Sequence, residues 1–157
     1  MEPGQLLLAS PAFADGQPIP PQYTGQGKDL SPPLKWSGVP AEARSLALIA
    51  DDPDAPVGTW VHWVLYDLPP ATTALAEDIA KTQYLPGGAK QGLNDFRRLG
   101  YGGPMPQPGK PHRYFFKLYA LDTLLSLPPG VTKKELLRAM EGHVLAEGQL
   151  LGTYQRK

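Results

Sequence analysis

Three carboxylates, Asp51, Asp52 and Asp54, stand among prolines at the start of the stretch A-D-D-P-D-A-P-V-G-T-W-V-H-W-V-L-Y-D-L-P, which runs from Ala50 to Pro69. His62 follows within the same stretch. A second histidine, His112, opens the run H-R-Y-F-F-K-L-Y-A-L-D, with Tyr114 two residues on. Between them lies a glycine-rich segment ending in Tyr101-Gly102-Gly103-Pro104. Two imidazoles and a phenol can donate hydrogen bonds, and a carboxylate orients a histidine and favours its charged form. Successive backbone N–H groups in glycine-rich turns form anion-binding concavities. Brought together, these groups would suit phosphate, sulfate or a phosphate-bearing head group. On this reading Asp52 raises the pKa of a histidine ring, and anion affinity is greatest at mildly acidic pH.

Each piece alone has a plainer explanation. A lone buried histidine is more often a structural hydrogen-bonder than a functional group. Asp-Pro-Asp-Ala-Pro can be a tight turn whose Asp side chains bond the local backbone. Two His and an Asp also match the minimum set for a divalent metal, although N–H donors would be wasted on a cation. Hydrolysis by a Ser-His-Asp set has less support, because no serine sits in a nucleophile-elbow pattern. His143 reads as a surface or packing residue of a helix.

The elements that must position these groups are mostly strands. Thr59 to Leu68 is rich in β-branched and aromatic residues and apolar on both faces, as in a central strand. A period of two puts Trp60, His62, Val64 and Tyr66 on one face and Val61, Trp63 and Leu65 on the other. The same period puts His112, Tyr114 and Phe116 on one face of the second strong strand, His112 to Asp122, and Arg113 and Phe115 on the other. Gln5–Ser10, Ser45–Ala50 and Gln149–Tyr154 also read as strands. Pro11 to Pro33 is too broken by proline for helix. Thr72 to Ala80 predicts a short helix. Tyr84 to Pro111 is a long irregular stretch of the kind that is usually functional or disordered. Thr132 and Glu135 form a capping box, and Leu136, Leu137, Met140, Val144 and Leu145 extend an amphipathic helix from it towards Gly148. The fold class is mainly β: a sandwich of two antiparallel sheets, Greek-key in type, with short peripheral helices.

The chain has 157 residues, a formal net charge of +0 and no cysteine. That suits one domain spanning residues 1–157, and it excludes disulfides and thiolate chemistry. Without clustered Lys and Arg, nucleic acid is not an expected partner. No run reaches the roughly 18 apolar residues of a membrane span. Met1-Glu2-Pro3-Gly4 lacks the positive region of a signal peptide. A cytoplasmic location is the expectation.

Asp-Pro-Asp-Ala-Pro at 52–56, His-Trp at 62–63, Gly-Tyr-Gly-Gly-Pro at 100–104 and Gly-x-x-His-Arg-Tyr at 109–114 resemble the signature of the phosphatidylethanolamine-binding protein family. The bacterial and archaeal branch, the Raf-kinase-inhibitor-like proteins, is the most similar. Ser31-Pro-Pro-Leu-x-Trp36, Asn94-Asp95-Phe96 and Gly142-His143 fit that branch too. The resemblance implies a small anion pocket formed by Asp52, Pro56, Trp60, His62, Gly102, Gly103, Pro104, His112 and Tyr114. Its expected ligand is a phosphate-like anion or a phospholipid head group. Asp54 and Arg113 are expected to form a buried structural ion pair, and Ala55–Pro56 a cis peptide. The implied role is a ligand-binding or regulatory module, with no cofactor, no metal and no catalytic residue. Inhibition of a protein kinase or protease through the pocket rim, and phosphoester hydrolysis by the His/Asp site, are the alternatives. Homodimerisation is left open.

Overall fold

Ser45–Asp52 and Trp60–Leu68 form the centre of the molecule. Every residue of the first strand is buried, and in the second only Trp60 is partly exposed. The computed structural model describes residues 4–156. The expectation of a chain without a leader rests partly on residues 1–3, which lie outside the described residues. In chain order the strands are β1 Gly4–Gln5, β2 Leu7–Ala9, β3 Gln17–Pro18, β4 Leu34–Ser37, β5 Ser45–Asp52, β6 Trp60–Leu68, β7 Ala74–Leu75, β8 Lys90–Gln91, β9 His112–Leu121 and β10 Val144–Tyr154. Helix α1, Lys133–Met140, precedes the last strand.

Seven strands make one sheet in the order β1-β10-β9-β5-β6-β8, with β3 also pairing β10. The remaining three make a smaller sheet, β2-β4-β7. The large sheet is mixed rather than wholly antiparallel, because both β1 and β3 run parallel to β10. Its long pairings, β10 with β9, β9 with β5 and β5 with β6, are antiparallel.

The large sheet is covered on both faces, as its doubly apolar strands require. On one side Leu46, Leu48, Ala50, Trp63, Leu65, Phe116 and Leu118 meet Leu8, Leu34, Trp36 and Leu75 of the small sheet. On the other, Ala47, Ile49, Val64 and Tyr66 pack against Val131, Leu136 and Met140. Helix α1 begins with the expected capping box. The Thr132 hydroxyl accepts from the Glu135 N–H, and the Glu135 carboxylate accepts from the Thr132 N–H.

Two expected helical stretches are corrected. The helix ends at Met140 rather than near Gly148, since Gly142 takes a φ of 79° and Val144 starts β10. A φ in that region suits glycine and stops helix propagation. Thr72–Ala80 forms no helix: Ala74–Leu75 pairs with β4, and the Trp36 N–H donates to the Thr73 carbonyl. Among the described residues every peptide bond is trans, so the expected cis Ala55–Pro56 bond is not present.

Candidate functional site

Three neighbouring strands of the large sheet finish at the same place. Strand β6 brings Trp60 and His62, β9 brings His112 and Tyr114, and β5, lying between them, ends in Asp52. These side chains line one cavity of about 280 Å³. Its remaining wall is Ala55, Pro56 and Val57 from the turn after β5, with Phe96, Met105, Pro106 and Gln107 from the long loop.

The strand's alternation breaks directly after His62. Asp51 faces Val61 across the ladder, and Ala50 faces Trp63, so His62 is the extra residue of a β-bulge. Such an insertion re-aims one side chain and moves the following residues to the opposite faces. Trp63 and Leu65 therefore enter the core between the sheets, while Val64 and Tyr66 join Val61 on the helix side. The strict period of two assigned these four residues to the wrong faces. It placed His62 correctly with Trp60, because the slip follows His62.

The three carboxylates part company. Asp52 faces the cavity, with one oxygen 2.7 Å from His112 Nδ1 and the other accepting the Asp54 N–H at 2.7 Å. Asp51 turns to the opposite face, where Lys133 Nζ lies 2.7 Å away and Lys117 Nζ 3.5 Å. Asp54 accepts the backbone N–H, Nε–H and Nη2–H of Arg113 at 2.9–3.0 Å. The Asp54–Arg113 pair is not the buried one expected, since the Arg113 side chain is 53% exposed. It ties the turn after β5 to the start of β9, and the Arg113 guanidinium holds the Asp54 carboxyl below the usual carboxylate range.

Tyr114 stands between the two imidazoles, with ring centroids 5.2 Å from His62 and 6.4 Å from His112. Phe96 closes the other edge of His62 at 5.4 Å and meets Trp60 at 5.6 Å. No buried side-chain polar atom lacks a partner among the described residues. The Tyr114 hydroxyl and the Nε2 atoms of both histidines make no hydrogen bond to the described residues, so they are open to the cavity their side chains line. Burial, then the charges of Asp52 and Asp54, push the Tyr114 phenol above its ordinary range, which keeps it a hydrogen-bond donor.

His62 is nearly enclosed, at 4% exposure, and its Nδ1 lies 2.6 Å from the Gly102 carbonyl oxygen. Loss of hydration pushes its pKa down, outweighing the carbonyl contact and the more distant Asp52, Asp29 and Asp51. Asp52 was expected to raise the pKa of a histidine ring. Desolvation favours the neutral ring at His62.

The glycine-rich loop has a different task from the expected one. The Gly102 N–H donates to the His62 carbonyl and the Gly103 N–H to Asp29 Oδ1. Neither amide is free for a ligand, and Pro104 has none. Gly102, Gly103 and Pro104 lie behind the cavity wall rather than in it. Glycine is required there by close approach: a Cβ on Gly102 would sit 2.6 Å from the Phe96 ring, and one on Gly103 2.6 Å from the Tyr23 carbonyl oxygen. Sequence reasoning missed Phe96, Val57, Met105, Pro106 and Gln107 as wall residues. Asn94-Asp95-Phe96 and the proline-rich segment after Gly103 were the available signals. Among the described residues, no group of three or more His, Asp or Glu side chains is arranged to hold a metal ion.

Comparison with known proteins adds an independent finding. Residues 9–155 match the family model described as phosphatidylethanolamine-binding protein. A UPF0098 protein of Methanothermobacter thermautotrophicus is 55% identical over 151 residues, covering 96% of this chain and 99% of that protein. A UPF0098 protein of Aquifex aeolicus is 49% identical over 153 residues, covering 96% and 89%. The crystal structure of a putative phosphatidylethanolamine-binding protein homologue, CT736 of Chlamydia trachomatis, superposes with a TM-score of 0.89 at 46% identity, covering 98% of this chain and 99% of that one. YbcL of E. coli, described as a new member of the mammalian family, also gives 0.89, at 32% identity and 98% and 100% coverage.

Proposed function

The chain belongs to the phosphatidylethanolamine-binding protein family, and from that premise we propose that it is a non-enzymatic module binding a phosphate-like anion in the cavity between His62 and His112. The anion is inorganic phosphate or the phosphoryl group of a head group or phosphorylated residue. The observation that carries this reading is the meeting of His62, His112 and Tyr114 around one opening, with the His112 ring fixed by Asp52. The Asp52 carboxylate engages His112 Nδ1 and turns Nε2 to the cavity, where the ring donates to the anion when it carries both protons. The Tyr114 hydroxyl adds a second donor. Charge-assisted hydrogen bonds of this kind are the strong ones.

Isothermal titration of the protein with inorganic phosphate tests the reading. His112→Ala is expected to weaken binding by about 1.5–3 kcal/mol, the contribution of a hydrogen bond to a charged group. Unchanged affinity in a folded His112→Ala protein would contradict it.

A further inference from the structure

We propose that the face of the large sheet opposite the histidine cavity carries a second, separate site, one for a carboxylate, formed where Lys117 and Lys133 share the buried Asp51. It does not depend on what the histidine cavity binds. The alternation of β9 sends Arg113, Phe115 and Lys117 to the face that Asp51 also takes. Lys133, the first residue of α1, reaches the same point from the helix. Together with Thr59 and Gln149 these side chains line a cavity of about 370 Å³.

The charges in this cavity do not balance. Asp51 is buried and has one carboxylate for two ammonium groups. Lys133 Nζ takes one oxygen at 2.7 Å, whereas Lys117 Nζ stands 3.5 Å from the other, too far for a good hydrogen bond. Arg113 is committed to Asp54 through Nε and Nη2. Three cations therefore face two carboxylates, and Lys117 is the cation without a carboxylate of its own among the described residues. Glu147 borders the adjoining cavity with Lys117, but the two form no ion pair. The side chains of Lys117 and Lys133 are only 34% and 25% exposed, so water screens the excess charge in part. The Phe115 ring, 5.8 Å from Lys117 Nζ and 5.6 Å from Arg113 Cζ, offers both cations a π face, a weaker attraction than an anion.

A carboxylate fits the deficit, since its single charge matches the single excess. Lys117 and Lys133 present ammonium donors to it. Gln149, directly across the ladder from Lys117, adds an amide and Thr59 a hydroxyl. A dianion such as sulfate exceeds the deficit and sets its second charge against Asp51. The carboxylate can belong to a small organic acid or to an acidic side chain of a protein, and the chemistry at Lys117 is the same.

NMR of the lysine Cε methylenes reads the site directly. The protein is titrated at neutral pH with sodium acetate, with a glutamyl peptide blocked at both ends and with sodium sulfate, each against sodium chloride of matched ionic strength. A carboxylate is expected to shift Lys117 and Lys133 together and saturably, beyond the effect of chloride, while Lys35 on the small sheet stays unmoved. Acetate binding assigns the site to small acids; binding of the peptide alone assigns it to an acidic side chain of a protein. Lys117→Gln, read at Lys133, should weaken the carboxylate by about tenfold or more, the loss of one charge-assisted hydrogen bond. Lys35→Gln should leave it unchanged. Sulfate binding more tightly than either carboxylate would overturn the ligand class. Shifts from both carboxylates no larger than those from chloride, or an unchanged affinity in Lys117→Gln, would overturn the site. Neither result touches the histidine cavity, whose occupancy is read at His112.

Discussion

Burial removes the hydration that a charged His62 would need, and the nearby acids restore only part of it. Its pKa is therefore lower in the folded chain than in the unfolded one, where it titrates near 6.5. Above that value both states are neutral and the full stability is present. As pH falls from about 6.5 through the lowered folded-state value, the unfolded chain binds the proton first and stability is lost. Urea unfolding followed across that window should show wild type losing stability, and His62→Phe should show a shallower slope there. An identical slope in the variant would place the acid sensitivity elsewhere. The residue types of this site were legible: histidine on an apolar strand, a second histidine beside tyrosine, and acids in a proline-bounded turn. Hydrogen-bond destinations were not. Nothing local to Gly102 and Gly103 indicates that their amides meet the His62 carbonyl and Asp29, residues distant in the chain.

At the level of elements, β5, β6 and β9 were readable because their apolar runs are long and rich in strand-forming residues. The bulge at His62 was not, because it exists only in the register between β5 and β6. The overrun of α1 has a similar cause. Leu136, Met140 and Val144 recur at helical spacing, yet Val144 onwards finds ladder partners along nearly the whole of β9. Long-range pairing overrides local periodicity in such a segment. Phe96 and the segment from Met105 to Gln107 serve as a wall, and the fit of the loop between them depends on glycine. At Gly103 a side chain would press on the Tyr23 carbonyl and on Thr24 Cα, both backbone. Gly103→Ala is expected to destabilise the fold by about 1–3 kcal/mol, the range for overpacking a close contact. Chemical denaturation measures it, and a change near zero would show that the contact relaxes freely.

Over the whole molecule, the large sheet lies between the small sheet on one face and α1 with its leading loop on the other. Core packing on both faces fixes β5, β6 and β9 side by side, and the cavity is formed where those strands end. Mainly-β architecture and two sheets followed from the pattern of strand signals; the parallel edge strands β1 and β3 did not, since such short segments carry no directional signal. Among the described residues no helix is long and apolar enough to cross a membrane. The central claim is that two distant histidines receive one phosphate between them. Nitrogen NMR of the three imidazole rings during a phosphate titration tests it most directly, with His143, bonded to Asp122 and partly exposed, as the internal reference. The expected result is a saturable shift of Nε2 in both His62 and His112, Nδ1 protonated throughout, and His143 unmoved. Saturating phosphate that shifts neither His62 nor His112, or moves His143 alone, would contradict it.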